Sequence, residues 1–333
     1  MQTIAYLVYG DRWEYHAELS LSIASAMRFL RNSRGNIRFL LITDTEGCRP
    51  DLPIDYLVFT QAEFREWTRN GIYQHAAKVH ALKKAMAHSD GPVVLLDTDT
   101  RFIEHPDKLF AMIGPGRSLM HHRETEIGKL DHWSAFLAAA PAEVQGYPIN
   151  IKSIMNNSGV IGLHPQDISA LDDAAGLIPS LTDIEPVFSI EQFAVTCTLS
   201  RHTEVGMANS VIDHFWQFHR RVFVHAQVRE LSAAFTPEGF DALIEVSGTT
   251  NAPRAPFSLR LIANLKGKLF GWSGDYRFAY LAYRTALMNK NPFEARAWAE
   301  ITHNALAKSR ETPDRIKRDF KHLNRIYSPE LQH

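Results

Sequence analysis

Short apolar runs alternate with longer amphipathic patterns over the first hundred residues. TIAYLVY precedes GDRWEYHAELSLSIASAMRFLRN, whose apolar residues recur every three or four positions, and this predicts a strand followed by a helix. IRFLLITD and IDYLVF predict two more strands, 62–87 a helical stretch, and VVLLDTD a fully buried strand. The pattern therefore predicts an α/β fold with a mostly parallel sheet, helices on both faces, and ligands bound beyond the carboxyl ends of the strands.

The pattern becomes less regular after residue 101. RSLMHH and NNSGVIGLH are typical of strands and DHWSAFLAAA of a helix, whereas everything from Ser258 onward has helical spacing. Pro253 and Pro256 lie in a polar stretch typical of a linker. We predict a first domain over 1–225, a connecting segment over 226–257 and a C-terminal helical region over 258–333.

Composition sets the broad class. A chain of 333 residues with 45% hydrophobic content can bury a large core. The sequence has no run near the roughly 20 apolar residues of a membrane span and no signal-peptide pattern at its start, so we expect a cytoplasmic protein. Cys48 and Cys197 are far apart, which indicates neither a disulfide framework nor a zinc ribbon.

The net charge of −1 hides an asymmetry. Residues 251–333 contain 15 Lys and Arg against 7 Asp and Glu, so the remainder carries −9. A basic C-terminal region suits an anionic partner such as a membrane surface, and it equally suits a solvated helical face. We expect no nucleic-acid partner.

The segment VVLLDTDT carries the first candidate chemistry. Two carboxylates, Asp97 and Asp99, follow a buried strand, and they are costly to ionise side by side unless a cation lies between them. Both can face one ion if the strand continues to Asp99, and they can also converge in a turn. Carboxylate and phosphate oxygens together suit Mg²⁺ or Mn²⁺. A polar strand end, with Asp99 capping a turn, is the alternative for so short a motif.

Four elements in order resemble the GT-A nucleotide-sugar transferases, most nearly glycosyltransferase family eight. AAKVHALKK supplies a helical lysine before the DxD strand, and NNSGV follows that strand. FSIEQFAV then supplies an acidic residue next to a glutamine at a helix start, and HFWQFHR stands where the family has HxxGxxK. The resemblance covers about residues 1–225. It implies a GT-A, Rossmann-like catalytic domain with a C-terminal helical extension.

The last element departs from the family pattern. The resemblance aligns His214 with a metal ligand and Arg220 with a diphosphate contact, but Gln217 replaces the glycine and Arg220 the lysine. A guanidinium can still clamp a phosphate through two hydrogen bonds. His219 is the alternative metal ligand.

The resemblance implies transfer of a sugar from a nucleoside diphosphate sugar, UDP-linked as the first choice, to a hydroxyl of a glycan, lipid or protein. It implies Asp97, Asp99 and His214 as metal ligands and Glu191 and Gln192 as catalytic residues. The strand ends place the base pocket near Val8. The full set of expected donor contacts is Tyr9, Gly10, Asp11, Asp44, Lys78, Asp97, Asn157, Ser158, Gly159 and Arg220.

Each assignment has a plainer alternative. Lys78 also fits a solvated helix position, Asn157 a turn cap, and Gly159 a tight strand entry. Glu191 and Gln192 also fit the surface of a helix that Ser189 would begin with a capping box. The stereochemistry stays open, because an inverting enzyme needs a carboxylate base, for which Glu191 is the candidate, and a retaining one does not.

Two other functions fit some of the same residues. LLDTDT matches the haloacid dehalogenase motif, in which Asp97 would be a phosphorylated nucleophile. That motif normally opens its domain, whereas three βα-like segments precede it here, and no later strand ends in a paired-acid motif. A non-catalytic GT-A-like binding module is the other alternative.

Overall fold

The computed structural model describes residues 1–31, 36–231 and 235–305, so 306–333 of the predicted C-terminal region lie outside the described residues. The chain divides into two compact units, one comprising 1–215 with 235–248 and the other 216–234 with 249–333. These bounds differ from those predicted at 225 and 257. Two helices, at Phe218–Glu230 and Pro237–Val246, occupy much of the segment that the sequence presents as a connection.

Within the described residues, seven strands of the first unit form a mixed sheet. The strands of the chain are β1 (Gln2–Leu7), β2 (Ile37–Thr43), β3 (Asp55–Val58), β4 (Val93–Leu96), β5 (Thr100–Phe102), β6 (Arg117–Met120), β7 (Arg123–Glu126), β8 (Glu143–Val144), β9 (Tyr147–Pro148), β10 (Ile154–Asn156), β11 (Val160–Leu163), β12 (Glu204–Met207) and β13 (Ile212–His214). The sheet order is β12-β6-β11-β4-β1-β2-β3. Only β11 runs antiparallel to its neighbours, β4 and β6. The predicted α/β class and mostly parallel sheet are confirmed.

Helices flank this sheet and make up the described part of the second unit. They are α1 (Trp13–Leu30), α2 (Gln61–Trp67), α3 (Ala77–Ala87), α4 (Asp107–Ala111), α5 (Ser134–Ala139), α6 (Ser169–Thr182), α7 (Ile190–His202), α8 (Phe218–Glu230), α9 (Pro237–Val246), α10 (Phe257–Phe270), α11 (Gly274–Met288) and α12 (Pro292–Ala305). Short 3-10 turns occur at 74–76, 127–129, 131–133 and 165–167. No helix in the described ranges is long and apolar enough to cross a membrane.

Two predicted elements end early, for local backbone reasons. The helical stretch expected over 62–87 is interrupted after α2, where Arg69, Asn70 and Gly71 adopt left-handed φ values of 51°, 59° and 86°, which helices do not continue through. The strand expected in VVLLDTD ends at Leu96. Asp97 and Asp99 therefore lie in a turn, the second of the two arrangements that the sequence allows.

The apolar runs occupy the centre of the sheet. Ile4 and Ala5 of β1, and Val93 and Val94 of β4, are fully buried, because neighbouring strands lie on both sides and helices cover the faces. The parallel pairing of β1 with β2 and β4 aligns their carboxyl ends at one edge. Polar residues that follow these strands are thereby brought together at that edge.

Candidate metal and nucleotide site

Backbone hydrogen bonds fix the turn that follows β4. The Asp97 amide donates to the Gly159 carbonyl (3.0 Å), and the Phe215 amide donates to the Asp99 carbonyl (2.8 Å). The Thr100 hydroxyl closes the turn by donating to the Asp97 carbonyl at 2.7 Å. Both aspartates are thus anchored to the entry of β11 and to the end of β13, rather than left on a free loop.

Strand register places an imidazole beside the two carboxylates. β13 pairs with β5 so that His214 lies opposite Thr100, next to the turn. His214 Nε2 is 3.0 Å from Asp99 Oδ1 and 4.0 Å from Asp97 Oδ2, and one ligand atom from each of the three lies within 4.8 Å of the others. The three residues can hold a metal ion. His219 lies in α8, outside this group.

The other nitrogen of His214 faces Asn157. His214 Nδ1 is 3.0 Å from Asn157 Oδ1. That oxygen also accepts from the Gly159 amide at 2.9 Å, while Asn157 Nδ2 donates to Glu124 Oε1 at 2.7 Å. The amide oxygen is therefore an acceptor towards His214, so Nδ1 carries the proton. With Nδ1 as a donor to Asn157, Nε2 can donate to Asp99 Oδ1 when it carries a proton, and it can offer its lone pair to a metal ion when it does not.

Gly159 makes room for that imidazole. A Cβ on Gly159 would lie 2.4 Å from His214 Nδ1 and 2.5 Å from its Cε1, far inside van der Waals contact. Its φ does not lie in the left-handed region, so close approach rather than backbone conformation requires glycine here. The NNSG segment thus contributes a hydrogen-bond acceptor and an open space to the same histidine.

Lys78 on α3 is an internal counter-ion and not a solvated helix lysine. Its ammonium lies 2.7 Å from Asp97 Oδ1 and 4.0 Å from Glu191 Oε2, and it donates to the Ser158 carbonyl at 3.2 Å. Burial alone would lower the pKa of Lys78, but the charges of Asp97 and Glu191 outweigh it and raise that pKa. Lys78 therefore stays positively charged beside the candidate metal ligands.

Glu191, at the start of α7, is buried. It is only 4% exposed, its Oε2 accepts from the Ser158 hydroxyl at 3.0 Å, and its Oε1 is buried with no hydrogen-bond partner. Burial raises the pKa of Glu191 to about 7, although Lys78 opposes the shift. A buried carboxyl that is half protonated near neutral pH is a common feature of functional sites.

The capping box expected at the start of α7 is absent. Ser189 makes no side-chain cap, because its hydroxyl accepts from the indole N–H of Trp133 at 3.0 Å. Gln192 instead donates from Nε2 to Glu124 Oε2 at 2.8 Å, and its Oε1 lies 3.5 Å from the Ser158 amide nitrogen. Gln192 is therefore directed towards the NNSG segment.

Sequence reasoning did not identify Glu124. This exposed residue of β7 accepts hydrogen bonds from both Asn157 and Gln192, so its carboxylate has a fixed orientation. The antiparallel pairing of β7 with β10 brings it there. The only signal in the sequence is the charged run RETE directly after RSLMHH, and nothing in it distinguishes Glu124 from Glu126.

His121 lies beside this group of two aspartates and His214 without adding charge to it. Burial, with a smaller contribution from the neighbouring His214, lowers the pKa of His121 to about 4. His121 Nε2 lies 3.0 Å from the Ile212 carbonyl and therefore donates to it, and the His121 ring meets the His214 ring edge-on at 5.3 Å. A neutral ring in this position does not repel a cation bound at His214.

A cavity of about 470 Å³ lies beyond the ends of β1 and β2. Gly10, Asp11 and Asp44 line it, and Asp44 Oδ2 accepts from the Gly10 amide at 3.0 Å. Tyr9 does not line this cavity, and its ring packs against Phe64 at 4.7 Å. Three of the expected nucleoside contacts therefore share one concave surface.

One wall of this cavity is built on a buried ion pair. Arg49 is 2% exposed and donates to both oxygens of Asp51, at 2.9 and 2.6 Å. It also donates to the His16 carbonyl and the Ser20 hydroxyl, each at 2.7 Å. Such bidentate pairing holds the guanidinium rigidly, so the loop after β2 is fastened to α1 next to the cavity.

Arg220 belongs to the second unit. It lies in α8, and its guanidinium donates to Gln217 Oε1 at 3.3 Å and to the Thr250 hydroxyl. Gln217 stands at the position of the glycine in the pattern HxxGxxK, and Arg220 stands at the position of the lysine. The two residues are therefore hydrogen-bond partners of each other. The diphosphate contact expected for Arg220 stays a prediction.

A scan against protein-family models finds no match to this chain, and a search of curated proteins finds no similar sequence. The assignment of a function therefore rests on the geometry of the residues themselves.

Proposed function

We propose that this protein is a metal-dependent glycosyltransferase of the GT-A type, which moves a sugar from a nucleoside diphosphate sugar, UDP-linked as the first choice, to an acceptor hydroxyl. One observation carries the proposal. Asp97, Asp99 and His214 can offer one ligand atom each within 4.8 Å of one another, and the Lys78 ammonium is within 2.7 Å of the same Asp97. With a divalent ion bound, that grouping would carry a net positive charge at the place where a diphosphate leaves.

The ligand set fits a divalent ion of intermediate softness. Two carboxylates suit Mg²⁺ or Mn²⁺, while an imidazole is uncommon for Mg²⁺, which prefers oxygen ligands. We therefore expect Mn²⁺ to bind more tightly than Mg²⁺. The bound ion would supply Lewis-acid stabilisation of the negative charge on the diphosphate.

The protein's own side chains have separate tasks in this proposal. Lys78 neutralises Asp97 and presents a fixed ammonium to an incoming anion. Asn157 sets the tautomer of His214. The carboxylate of Glu124 and the amide of Gln192 are hydrogen-bonded to each other. Their remaining hydrogen-bonding capacity would serve to bind sugar hydroxyls.

Glu191 acts as a positioning residue rather than as a base. It is 4% exposed and hydrogen-bonded to Ser158, so an acceptor hydroxyl has little access to its oxygens. Proton abstraction by a side chain requires hydrogen-bond reach. The burial of Glu191 therefore favours the retaining alternative of the two that the sequence leaves open.

The nucleoside would occupy the cavity lined by Gly10, Asp11 and Asp44. The free capacity of the Asp44 carboxylate suits a ribose hydroxyl or a base N–H, and the aromatic ring of Trp13 lines the same cavity. A volume of about 470 Å³ lies within the range of small-molecule sites.

Calorimetric titration of UDP with and without Mn²⁺ tests the proposal. We expect Mn²⁺ to raise the affinity for UDP. Asp99→Asn should reduce this Mn²⁺-dependent gain in affinity by a factor of about ten or more. The matched control is Asp131→Asn, an exposed aspartate outside the ligand group, which should leave it unchanged. The proposal would be refuted if neither Mn²⁺ nor Asp99→Asn changed the affinity for UDP.

The same preparation separates the alternatives. Trapping an acyl phosphate on Asp97 after incubation with phosphate donors would establish a phosphotransferase instead. Mn²⁺-dependent binding of nucleotide sugars with neither transfer nor hydrolysis across a donor panel would establish a binding module.

A further inference from the structure

The second unit has its own aromatic core, which fixes one face of α10. Trp272, Tyr276 and Tyr280 are buried there, and Leu259 and Ala263 of α10 pack into the same cluster with exposures of 7% and 0%. The helix is therefore folded onto its unit, and its orientation about its own axis is set.

The opposite face of α10 is apolar and exposed. At 100° per residue, positions four apart drift by only 40°, so Phe257, Leu261, Leu265 and Leu269 form a single stripe along the helix. Their exposures are 72%, 48%, 54% and 77%, and Ile262 beside them is 46% exposed. We call these five residues the α10 stripe. Contiguous apolar surface of this kind on a folded protein marks an interaction site.

The charged residues of α10 and of the segment before it all have one sign. Residues 251–274 contain no Asp or Glu but four cations, Arg254, Arg260, Lys266 and Lys268. Arg260 and Lys266 are half-buried on the two opposite margins of the stripe, and Lys268 is exposed towards its C-terminal end. Long cationic side chains on the margins of an apolar face can reach outwards while that face is covered.

The combination of an apolar stripe with cationic residues favours some binding partners of this surface over others. A second copy of the chain, paired about a two-fold axis, would bring the cations of two identical stripes together. An anionic lipid surface accepts the apolar stripe between its acyl chains and the cations at its headgroups. At 14 residues, α10 is too short to span a bilayer and suits an orientation in the plane of the interface.

We propose that α10 docks the protein on anionic membrane surfaces, lying in the interface with the α10 stripe inserted and Arg260, Lys266 and Lys268 at the headgroups. The α10 stripe shares no residue with the candidate metal site, and the proposal does not depend on the proposed transferase activity. It places the membrane contact expected from the basic C-terminal region on one face of one helix.

Flotation of the full-length protein with vesicles tests the proposal. We expect binding to vesicles of phosphatidylcholine with about one-third phosphatidylserine, little binding to pure phosphatidylcholine, and weakening as the salt concentration rises. Leu265→Gln combined with Leu269→Gln should lower the partition coefficient at least about tenfold. Lys268→Glu should lower it about fivefold or more.

Matched variants show whether these effects are local. Met288→Gln removes a similarly exposed apolar residue, 58% exposed, from α11, and Lys152→Glu makes the same charge change in the first unit. Both should float like the wild type, and unchanged circular dichroism would show that each variant is folded. Lack of flotation by the wild type, or equal losses in the control variants, would overturn the proposal. So would a self-association seen by sedimentation that Leu265→Gln abolishes, since a second copy would then cover the stripe.

Discussion

His214 Nδ1 and Asn157 Oδ1 lie 3.0 Å apart, and this contact makes Nδ1 a hydrogen-bond donor in the candidate metal site. Asn157 can only accept at that oxygen, because the Gly159 amide and Glu124 define which end of its amide is which. When His214 binds a metal ion through Nε2, the remaining ring proton would therefore be held on Nδ1, away from the carboxylates. A residue that touches no metal thus determines whether the histidine can act as a ligand.

We expect Asn157→Ala to weaken Mn²⁺ binding by roughly 10- to 100-fold, because the imidazole loses the acceptor that holds its tautomer and orientation. Electron paramagnetic resonance of free Mn²⁺ in a titration measures the change. Asn150→Ala serves as the control, since Asn150 is exposed and only caps the Lys152 amide. An affinity equal to that of the wild type would show that Asn157 does not position His214.

Gly159→Ala should displace His214 and weaken Mn²⁺ binding by about tenfold or more, because the new methyl group occupies the space of the imidazole. Gly176→Ala is the control, as Gly176 lies within α6 and a Cβ there meets only Gln145 Oε1 at 3.7 Å. That change should raise the thermal midpoint slightly through helix propensity. If both variants bind Mn²⁺ like the wild type, the close approach of Gly159 to His214 has no role in metal binding.

Lys78→Met should lower the free energy of unfolding in EDTA by about 2–3 kcal/mol, since Asp97 and Glu191 lose their counter-ion. Added Mn²⁺ should restore part of that stability, because binding to the folded state alone stabilises it. Denaturant unfolding with and without Mn²⁺ measures both effects.

Lys83→Met is the control on the same helix, because Lys83 pairs with the largely exposed Asp172 and such pairs contribute about 1 kcal/mol or less. Equal losses in the two variants would contradict the counter-ion role of Lys78.

Glu191 predicts a pH dependence of stability. Burial raises the pKa of Glu191 from 4.5 to about 7 in the folded protein. The protonated carboxyl therefore contributes in full to the free energy of unfolding below about pH 4.5, and this contribution is lost as the pH rises through 7. Glu191→Gln removes this titration. In EDTA, the variant should gain stability relative to the wild type between pH 4.5 and pH 7.5, by up to about 3 kcal/mol. A stability difference independent of pH, or one of opposite sign, would contradict the raised pKa.

The sequence predicts the framework of the site well where periodicity sets it. The runs TIAYLVY, IRFLLITD and VVLLDTD become β1, β2 and β4, and their carboxyl ends carry Gly10, Asp44 and Asp97. The α/β class follows from the same alternation, because fully buried parallel strands must be apolar on both faces.

The details that required tertiary contacts were not predictable. Ser189 and Gln192 have the spacing of a capping box, but Trp133, distant in sequence, takes the serine hydroxyl. Glu124 joins the site only through the pairing of β7 with β10. The break after α2 was predictable in part, because the turn dipeptide Asn70-Gly71 adopts the left-handed conformation there, whereas Arg69 gives no such signal.

Under the proposed function, the ion pair between Lys78 and Asp97 would link the binding of a metal ion to the binding of a nucleotide. Lys78 already balances one carboxylate of the candidate metal site, so a divalent cation that arrives alone must share Asp97 with an ammonium group. A diphosphate that accompanies the cation offsets that repulsion, and the cation in turn strengthens attraction for the diphosphate. Metal and nucleotide should therefore bind with positive cooperativity, each raising the affinity for the other by the same factor.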